Sequence, residues 1–194
     1  MKNKLQKIIT CRRSIRLFKQ KSVPLAVIKR AVDAGRLAPS AANLQFIEYL
    51  VINAPKVCER IFPLTRWAGY LYPKRMPPSG KRPTAYIILL ANQKKSKAPD
   101  LRDIGAAAEN IMLSLSAEGI GSCWIASIER EVLRKIFKIP CFYLIDSLIA
   151  CGYPAEKPKL ENDSKHVKYW LDKKGRLHVP KRLFREILHF KSIK

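Results

Sequence analysis

The feature that most constrains the fold is an uninterrupted apolar run near the middle of the chain. Residues 85–91 read Ala-Tyr-Ile-Ile-Leu-Leu-Ala, and Pro83 and Asn92 bound this run. A continuous apolar run of this length between turn-forming residues is typical of a strand buried in a sheet. We therefore predict a buried strand over residues 84–92. The run is far shorter than the ~20 apolar residues that a membrane-spanning helix needs.

Helical patterns alternate with short strand patterns along the rest of the chain. The clearest helix starts after Asp100, a good N-cap residue, and ends before Gly119. Pro24 opens another helix, which ends near Gly35. Residues 70–83 carry four prolines and predict a loop. The remaining patterns predict helices before residue 12, from residue 54, over 129–137 and over 180–190, and strands over 46–53, 123–128 and 143–151.

Length and composition predict one domain over residues 1–194 and limit the sites that it can carry. With 194 residues and 47% hydrophobic content, the chain can bury a single core. The five cysteines form no C-x-x-C pair and the three histidines match no metal-ligand spacing, so we predict no metal site. The sequence has neither a P-loop nor the glycine pattern of a Rossmann unit. The first residues lack a signal-peptide core, which predicts a cytoplasmic location.

A compact basic cluster follows the first predicted helix. Residues 11–16 read Cys-Arg-Arg-Ser-Ile-Arg, and the first thirty residues contain basic side chains but no acidic one. Guanidinium groups and a hydroxyl can surround a phosphate with charge-assisted hydrogen bonds. An isolated basic run is more often a solvated helix end. The functional interpretation therefore depends on the segments that accompany this cluster.

Four further segments accompany the cluster along the chain. They are Ala-Pro-Ser-Ala-Ala-Asn-Leu-Gln at 38–45, Gly-Ile-Gly-Ser-Cys-Trp-Ile at 119–125, Cys-Gly-Tyr-Pro at 151–154 and Val-Pro-Lys-Arg at 179–182. Together and in this order, these segments resemble the nitroreductase family of flavin enzymes. The resemblance runs from about residue 10 to residue 187, nearly the whole chain.

The resemblance implies a fold, an assembly and a cofactor. It implies an α+β, three-layer fold in which a mixed central β-sheet is flanked by helices. It also implies a homodimer that binds FMN in a cleft between its two subunits. Residues 155–194 would then be a C-terminal extension that packs on the partner subunit.

The resemblance also implies which residues hold the cofactor. Two basic groups, one at each end of the chain, match the positions that grip the FMN phosphate: Arg12, Ser14 and Arg16 with the neighbouring Arg13, and Lys181 with Arg182. The positions that surround the isoalloxazine ring and the ribityl chain are matched by Pro39, Ser40, Ala41, Asn43, Gln45, Ala126 and Ser127. The backbone of the last two matches the turn that meets flavin N5. Lys81 and Arg82 are further candidates to approach the flavin ring.

The chemistry implied is hydride transfer from NAD(P)H through flavin N5 to a small acceptor such as a nitroaromatic or a quinone. No side chain stands out as a general acid. Residues 125–128 read Ile-Ala-Ser-Ile, where many family members have an acidic residue or a glycine, so substrate contacts there should differ. Relatives include dehydrogenases and dehalogenating enzymes, and a reaction of either type is the alternative.

The net charge of +23 exceeds what one flavin phosphate requires. A basic surface can draw anionic NAD(P)H or an acidic substrate toward a cleft. Nucleic-acid binding is the competing explanation, because phosphate contacts also need many cations. The basic residues are scattered along the chain and no recognised nucleic-acid motif is present, so we favour a small-molecule role.

Overall fold

The computed structural model describes residues 3–71, 73 and 75–192, and it has an α+β fold built on a four-stranded sheet. The order of the strands across this sheet is β1-β2-β4-β3. Their bounds are Ile47–Ile52 for β1, Ala85–Asn92 for β2, Gly121–Ile125 for β3 and Tyr143–Gly152 for β4. The predicted buried strand is β2, and each of its residues is buried.

The direction of the strands departs in part from the mixed sheet that we expected. All four strands pair antiparallel with their neighbours. Among the described residues, parallel pairing in this sheet comes from one bridge, between Ser14 and Ser122 at the β3 edge. The sheet is therefore mixed only through this short contact, which aligns the basic cluster with β3.

The described part of the chain contains five α-helices. They are α1 (Lys4–Cys11), α2 (Leu25–Arg36), α3 (Pro55–Ile61), α4 (Leu101–Ala117) and α5 (Arg130–Phe137). Asp100 caps α4 as predicted, because its side chain accepts a hydrogen bond from the backbone N–H of Arg102. The prolines of 70–83 lie in a loop with a single short 3-10 turn, Gly69–Leu71, at its start.

The core has two halves, one on each face of the sheet. Ile87 and Leu89 of β2 pack with buried residues of α2 and α4, such as Ile111. Ile88 and Leu90 point to the opposite face and pack in the half that contains α3 and α5. Successive strand residues face opposite sides. A strand that is apolar on both faces therefore implies helices on both sides of the sheet, and the three-layer architecture is confirmed.

The C-terminal part of the chain forms a second, smaller sheet instead of the predicted helix over 180–190. Its strands are β5 (Lys159–Asn162), β6 (Trp170–Leu171) and β7 (Leu177–Lys181), in the order β5-β7-β6. A single 3-10 turn, Phe184–Glu186, follows β7. Short helices gain most of their stability from tertiary packing. Phe184 and Phe190 are 71% and 79% exposed, so the apolar side of the pattern is not packed against the described residues of this chain.

The strand predicted over 123–128 is shorter than expected. β3 ends at Ile125, and after it only Ile128 joins a bridge, with Thr65. Ala126 and Ser127 between these points lie in an open turn. The apolar pattern alone could not reveal this break.

Close packing of α2 against α4 depends on Gly35. A Cβ atom at this position would lie 2.7 Å from Cγ1 of Ile111 and 3.1 Å from the hydroxyl of Tyr49. Gly105, on α4, is a helical glycine in an open setting, because a Cβ there would lie 3.9 Å from its nearest neighbour, Trp124. The two positions form a matched pair.

We predict that Gly35→Ala lowers the free energy of unfolding by about 1–3 kcal/mol, since the extra methyl overpacks the core. Gly105→Ala should instead raise it by about 0.5–1 kcal/mol through helix propensity. Urea denaturation of both variants and the wild type measures these changes. Equal stabilisation by both substitutions would contradict the close contact between α2 and α4.

Candidate functional site

The basic cluster lies along the edge of β3. Ser14 pairs with Ser122, and the backbone N–H of Ile15 donates to the carbonyl oxygen of Ser122 at 2.9 Å. Ala126 comes four positions after Ser122, which corresponds to about 13 Å of extended chain. The cluster and the open turn at 126–127 therefore lie near the two ends of one sheet edge.

A cavity of about 430 Å³ opens next to Arg12 and Arg13. Its lining is strongly basic, and the only acidic residue among the lining residues is Glu156. The basic side chains that line it come from both the N-terminal cluster and the C-terminal part: Arg12, Arg13, Lys157, Lys159 and Arg176. A concentration of cations around one cavity favours an anionic ligand.

The two arginines of this cavity differ in their surroundings. Arg12 forms an ion pair with Glu109 of α4, with Nε and Oε1 3.0 Å apart. The Nε atom of Arg13 is buried and has no hydrogen-bond partner among the described residues. Burial, and then the charge of Arg12, lower the pKa of Arg13. An anion in the cavity would therefore relieve both the missing hydrogen bond and the repulsion between the two guanidinium groups.

Glu156 fixes the backbone of the basic cluster through hydrogen bonds. Its Oε1 atom accepts hydrogen bonds from the backbone N–H groups of Arg16 and of Leu17, the latter at 3.0 Å. Its Oε2 atom forms an ion pair with Arg75, and the two side chains are only 6% and 9% exposed. Arg75 also donates to the carbonyl oxygen of Gly175 at 3.4 Å. One buried carboxylate thus links the basic cluster to the loop over 65–83 and, through Arg75, to the turn before β7.

The open turn at 126–127 borders two further cavities. One, of about 180 Å³, is lined by Arg16, Arg66 and the turn itself. The other, of about 490 Å³, lies between Ser127 and the loop over 65–83. Arg130 fixes the turn, because its Nη2 atom donates to the carbonyl oxygen of Ala126 at 3.0 Å. Sequence reasoning missed both Arg66 and Arg130.

The loop over 39–45 forms a third part of the candidate site. Asp103, which is buried, accepts hydrogen bonds from the hydroxyl of Ser40 at 2.8 Å and from the backbone N–H of Ala41 at 2.9 Å. The hydroxyl of Ser40 in turn accepts one from the backbone N–H of Gln45 at 3.1 Å. Ala42, Asn43 and Gln45 have positive φ angles of 49°, 54° and 47°. Such angles are uncommon outside glycine, and they cluster at ligand-binding sites.

The loop over 39–45 does not share a cavity with Arg16 in one copy of the chain. Pro39, Ser40 and Gln45 line a separate cavity of about 270 Å³, together with Tyr49 and Lys95. Burial raises the pKa of Tyr49 to about 12, so its hydroxyl stays protonated at neutral pH. The predicted site residues thus fall into two groups, one on the β3 edge and one next to α2.

The second predicted basic pair does not line the cavity beside Arg12 and Arg13. Lys181 ends β7 and is exposed, and Arg182 donates to the carbonyl oxygen of Glu186 at 3.2 Å. Lys157, Lys159 and Arg176 line this cavity instead. Lys157 and Lys159 come shortly after the segment at 151–154, so their closeness to that segment was the signal that could have identified them from the sequence.

The structure gives Lys81 and Arg82 other contacts. The carbonyl oxygen of Lys81 accepts a hydrogen bond from the backbone N–H of Phe18 at 3.0 Å. Arg82 pairs with Glu59, and its guanidinium lies 4.2 Å from the centre of the Phe62 ring. Neither residue lines the cavities beside the 126–127 turn.

Within the described part of the chain, no group of three or more His, Cys, Asp or Glu side chains could hold a metal ion. No helix there combines the length and the apolar character needed to cross a bilayer.

Comparison with known proteins gives consistent matches. The model of the Nitroreductase family matches residues 9–153. A protein of Archaeoglobus fulgidus named "Putative NADH dehydrogenase/NAD(P)H nitroreductase" is 30% identical over 158 residues, which cover 78% of this chain and 86% of that protein. The iodotyrosine deiodinase of Thermotoga neapolitana is 25% identical over 175 residues, or 81% of this chain and 93% of that protein.

A solved structure has a similar fold. The FMN-dependent nitroreductase of Clostridium difficile R20291 superposes with a TM-score of 0.71 at 24% identity, and the match covers 96% of this chain and 98% of that one. At this level of identity the likeness concerns the fold.

We predict that Glu156→Gln lowers the free energy of unfolding by about 3–5 kcal/mol, because it leaves the buried charge of Arg75 uncompensated. Glu118→Gln is the control, since it removes an exposed ion pair with Arg30 and should cost less than about 1 kcal/mol. Chemical denaturation measures both. Similar small losses in the two variants would show that Glu156 does not act as a buried anchor.

Proposed function

The chain belongs to the nitroreductase family, whose model matches well over half of it, and from this premise we propose that it is an FMN-dependent oxidoreductase. In this proposal NAD(P)H supplies the electrons, and a small nitroaromatic or quinone receives them. FMN, when bound, supplies the ability to accept and pass on two electrons as a hydride equivalent. The chain supplies the binding site, the orientation of the ligands and the local charge.

One observation carries the proposal. A cation-rich cavity and an open turn lie near the two ends of the edge of β3, as the phosphate and the ring of an extended mononucleotide would require. Arg12, Ser14 and Arg16 would hold the phosphate, with Arg13 beside them. Of these, Arg12 and Arg13 line the cation-rich cavity, whereas Arg16 lines the cavity beside the turn. The buried Nε atom of Arg13, which has no partner among the described residues, fits such an anion. The backbone of Ala126 and Ser127 would face the ring.

The overall reaction balances without further reactants. NAD(P)H, a proton and a quinone give NAD(P)⁺ and a hydroquinone, with two electrons transferred. A nitroaromatic takes the same two electrons and, with loss of one N–O bond, gives a nitroso compound and water.

A dehalogenating reaction is the second candidate function. It is favoured by the similarity to the iodotyrosine deiodinase of Thermotoga neapolitana, which covers most of both chains. The same FMN site would serve it, and the difference would lie in the substrate-facing residues. Release of halide from a halogenated phenol, measured beside nitroaromatic and quinone reduction, distinguishes the two.

We also propose that the active form is a homodimer of one-domain chains. The site residues next to α2 and those on the β3 edge line different cavities in one copy, so a second copy would be needed to bring the two groups together. The C-terminal extension over 155–194 ends in exposed apolar side chains, including Phe184, Ile187 and Phe190, and these would pack on the partner. A cytoplasmic location stays a prediction.

For the dimer, we expect sedimentation equilibrium to give twice the chain mass of 22.2 kDa. The double variant Phe184→Ser/Phe190→Ser should weaken dimerisation at least tenfold, because it removes apolar surface from the interface. Val132→Ser removes an apolar side chain of α5 that is 42% exposed and lies outside residues 155–194, and it should have no effect. A stable monomer with FMN bound would contradict the proposal.

For the cofactor, we expect protein that is purified with FMN and desalted to keep the visible absorbance of a flavin. Anaerobic addition of NADH or NADPH should bleach it, because either nucleotide can reduce the cofactor. A colourless protein that FMN cannot reconstitute would remove the proposal, and salt-dependent binding to nucleic acid would then be tested.

The control for this experiment separates phosphate binding from general charge. Arg12→Ala/Arg16→Ala should remove FMN from a protein that remains folded by circular dichroism. Lys29→Ala/Arg30→Ala, which removes two basic residues of α2, should keep the full flavin content. Equal flavin content in the two double variants would assign the phosphate to other residues.

A further inference from the structure

We propose that the electron acceptor is a planar aromatic molecule that carries a negative charge. This inference rests on the proposed oxidoreductase function and adds the chemical class of its substrate. It concerns the cavity of about 490 Å³ between Ser127 and the loop over 65–83, which we call the acceptor cavity.

The acceptor cavity adjoins the place proposed for the flavin ring. Arg66, Trp67 and Ser127 line both this cavity and the smaller one that contains Arg16. A molecule in the acceptor cavity would therefore lie next to the 126–127 turn. Gly69 and Met76 complete its wall on the side of the loop.

Contacts between aromatic and cationic side chains connect Arg16, which lines the smaller cavity, to Tyr70, which is next in the chain to a lining residue of the acceptor cavity. The guanidinium of Arg16 lies 4.9 Å from the centre of the Tyr169 ring. The Tyr169 ring is 5.1 Å from the Tyr70 ring, and the ammonium of Lys168 lies 5.6 Å from the centre of Tyr70. Tyr70 follows Gly69 in the chain and is 59% exposed, so its ring is available to a ligand. Such contacts favour planar molecules, because aromatic rings stack on one another and on cations.

The charge around the acceptor cavity is positive. No acidic residue is among the described residues that line it or the neighbouring cavity. Arg66 pairs with Glu129 at 2.7 Å, but its side chain is still 59% exposed and has further donors. In our proposal Arg16 is committed to the cofactor. Arg66 is therefore the lining cation that remains for a substrate carboxylate or sulfonate, and Lys168 lies nearby against Tyr70.

Trp67 and Met76 supply the apolar part of the site. Trp67 is 3% exposed, and its indole N–H donates to the hydroxyl of Thr65 at 2.7 Å, which fixes the ring. Met76 is 39% exposed, and its flexible thioether can adapt to aromatic rings of different shape. An apolar wall with one cationic side matches an aromatic ring with one anionic substituent.

The test compares two acceptors that differ mainly in charge, 4-nitrobenzoate and its methyl ester. Each turnover converts the nitro group to a nitroso group and water, with NADH and one proton consumed. We expect kcat/KM for the carboxylate to exceed that for the ester about tenfold at low salt, mainly through KM, since one charge-assisted hydrogen bond contributes about that factor. The preference should shrink at 0.3 M salt.

Variants assign the preference to named residues. Arg66→Gln should lower kcat/KM about tenfold more for 4-nitrobenzoate than for the ester. Tyr70→Leu should lower it for both acceptors, because it removes the stacking surface. Arg30→Gln removes an arginine on α2 with a similar exposed ion pair, and it should leave both values unchanged.

The outcomes separate this inference from the proposed function. Turnover of both acceptors without preference, or a preference that Arg66→Gln leaves intact, would overturn the inference and leave the oxidoreductase proposal standing. Absence of flavin bleaching by NADH and NADPH would overturn both. A carboxylate preference that disappears in Arg66→Gln supports an anionic aromatic substrate.

Discussion

The candidate site depends on one buried interaction, the ion pair between Glu156 and Arg75. A carboxylate in a low-dielectric environment must be compensated, and here one cation and two backbone N–H groups do so. The same contacts connect three stretches of chain that are distant in sequence. Arg16 cannot move along β3, and the loop that walls the acceptor cavity cannot move away, without exposing a charge. The geometry of the two cavities beside the 126–127 turn therefore depends on one requirement, that the buried charge of Glu156 stays compensated.

The second determinant is the apolar strand β2, which makes the sheet a partition between two cores. Each face needs its own helices, so the functional elements are distributed around the sheet instead of gathered on one side. The basic cluster and the 126–127 turn lie on the edge strand β3, while the loop over 39–45 follows α2. Edge strands have unpaired backbone groups. At the edge strand β3, Ser14 can pair with the sheet and cavities can form beside it without disturbing the interior.

Most of the fold could be predicted from the sequence, because β2, the Asp100 cap and the helix after Pro24 depend on local periodicity and local hydrogen bonds. The prediction of a helix over 180–190 was wrong, since an amphipathic pattern requires a surface to pack on and the described part of the chain leaves its apolar side chains exposed. The same dependence on tertiary structure limits the prediction of the site, as four basic residues show: Arg12, Arg13, Lys157 and Lys159. The motif pointed to the first two, but only the tertiary structure brings the others to the same cavity.

The strained loop over 39–45 has a consequence for the thermodynamics of ligand binding. Ala42, Asn43 and Gln45 hold backbone angles that cost free energy during folding, and Asp103 maintains them. The ordering of this loop is thus completed before any ligand arrives. Association should lose little backbone entropy there, and its rate should be governed by diffusion and charge attraction more than by rearrangement.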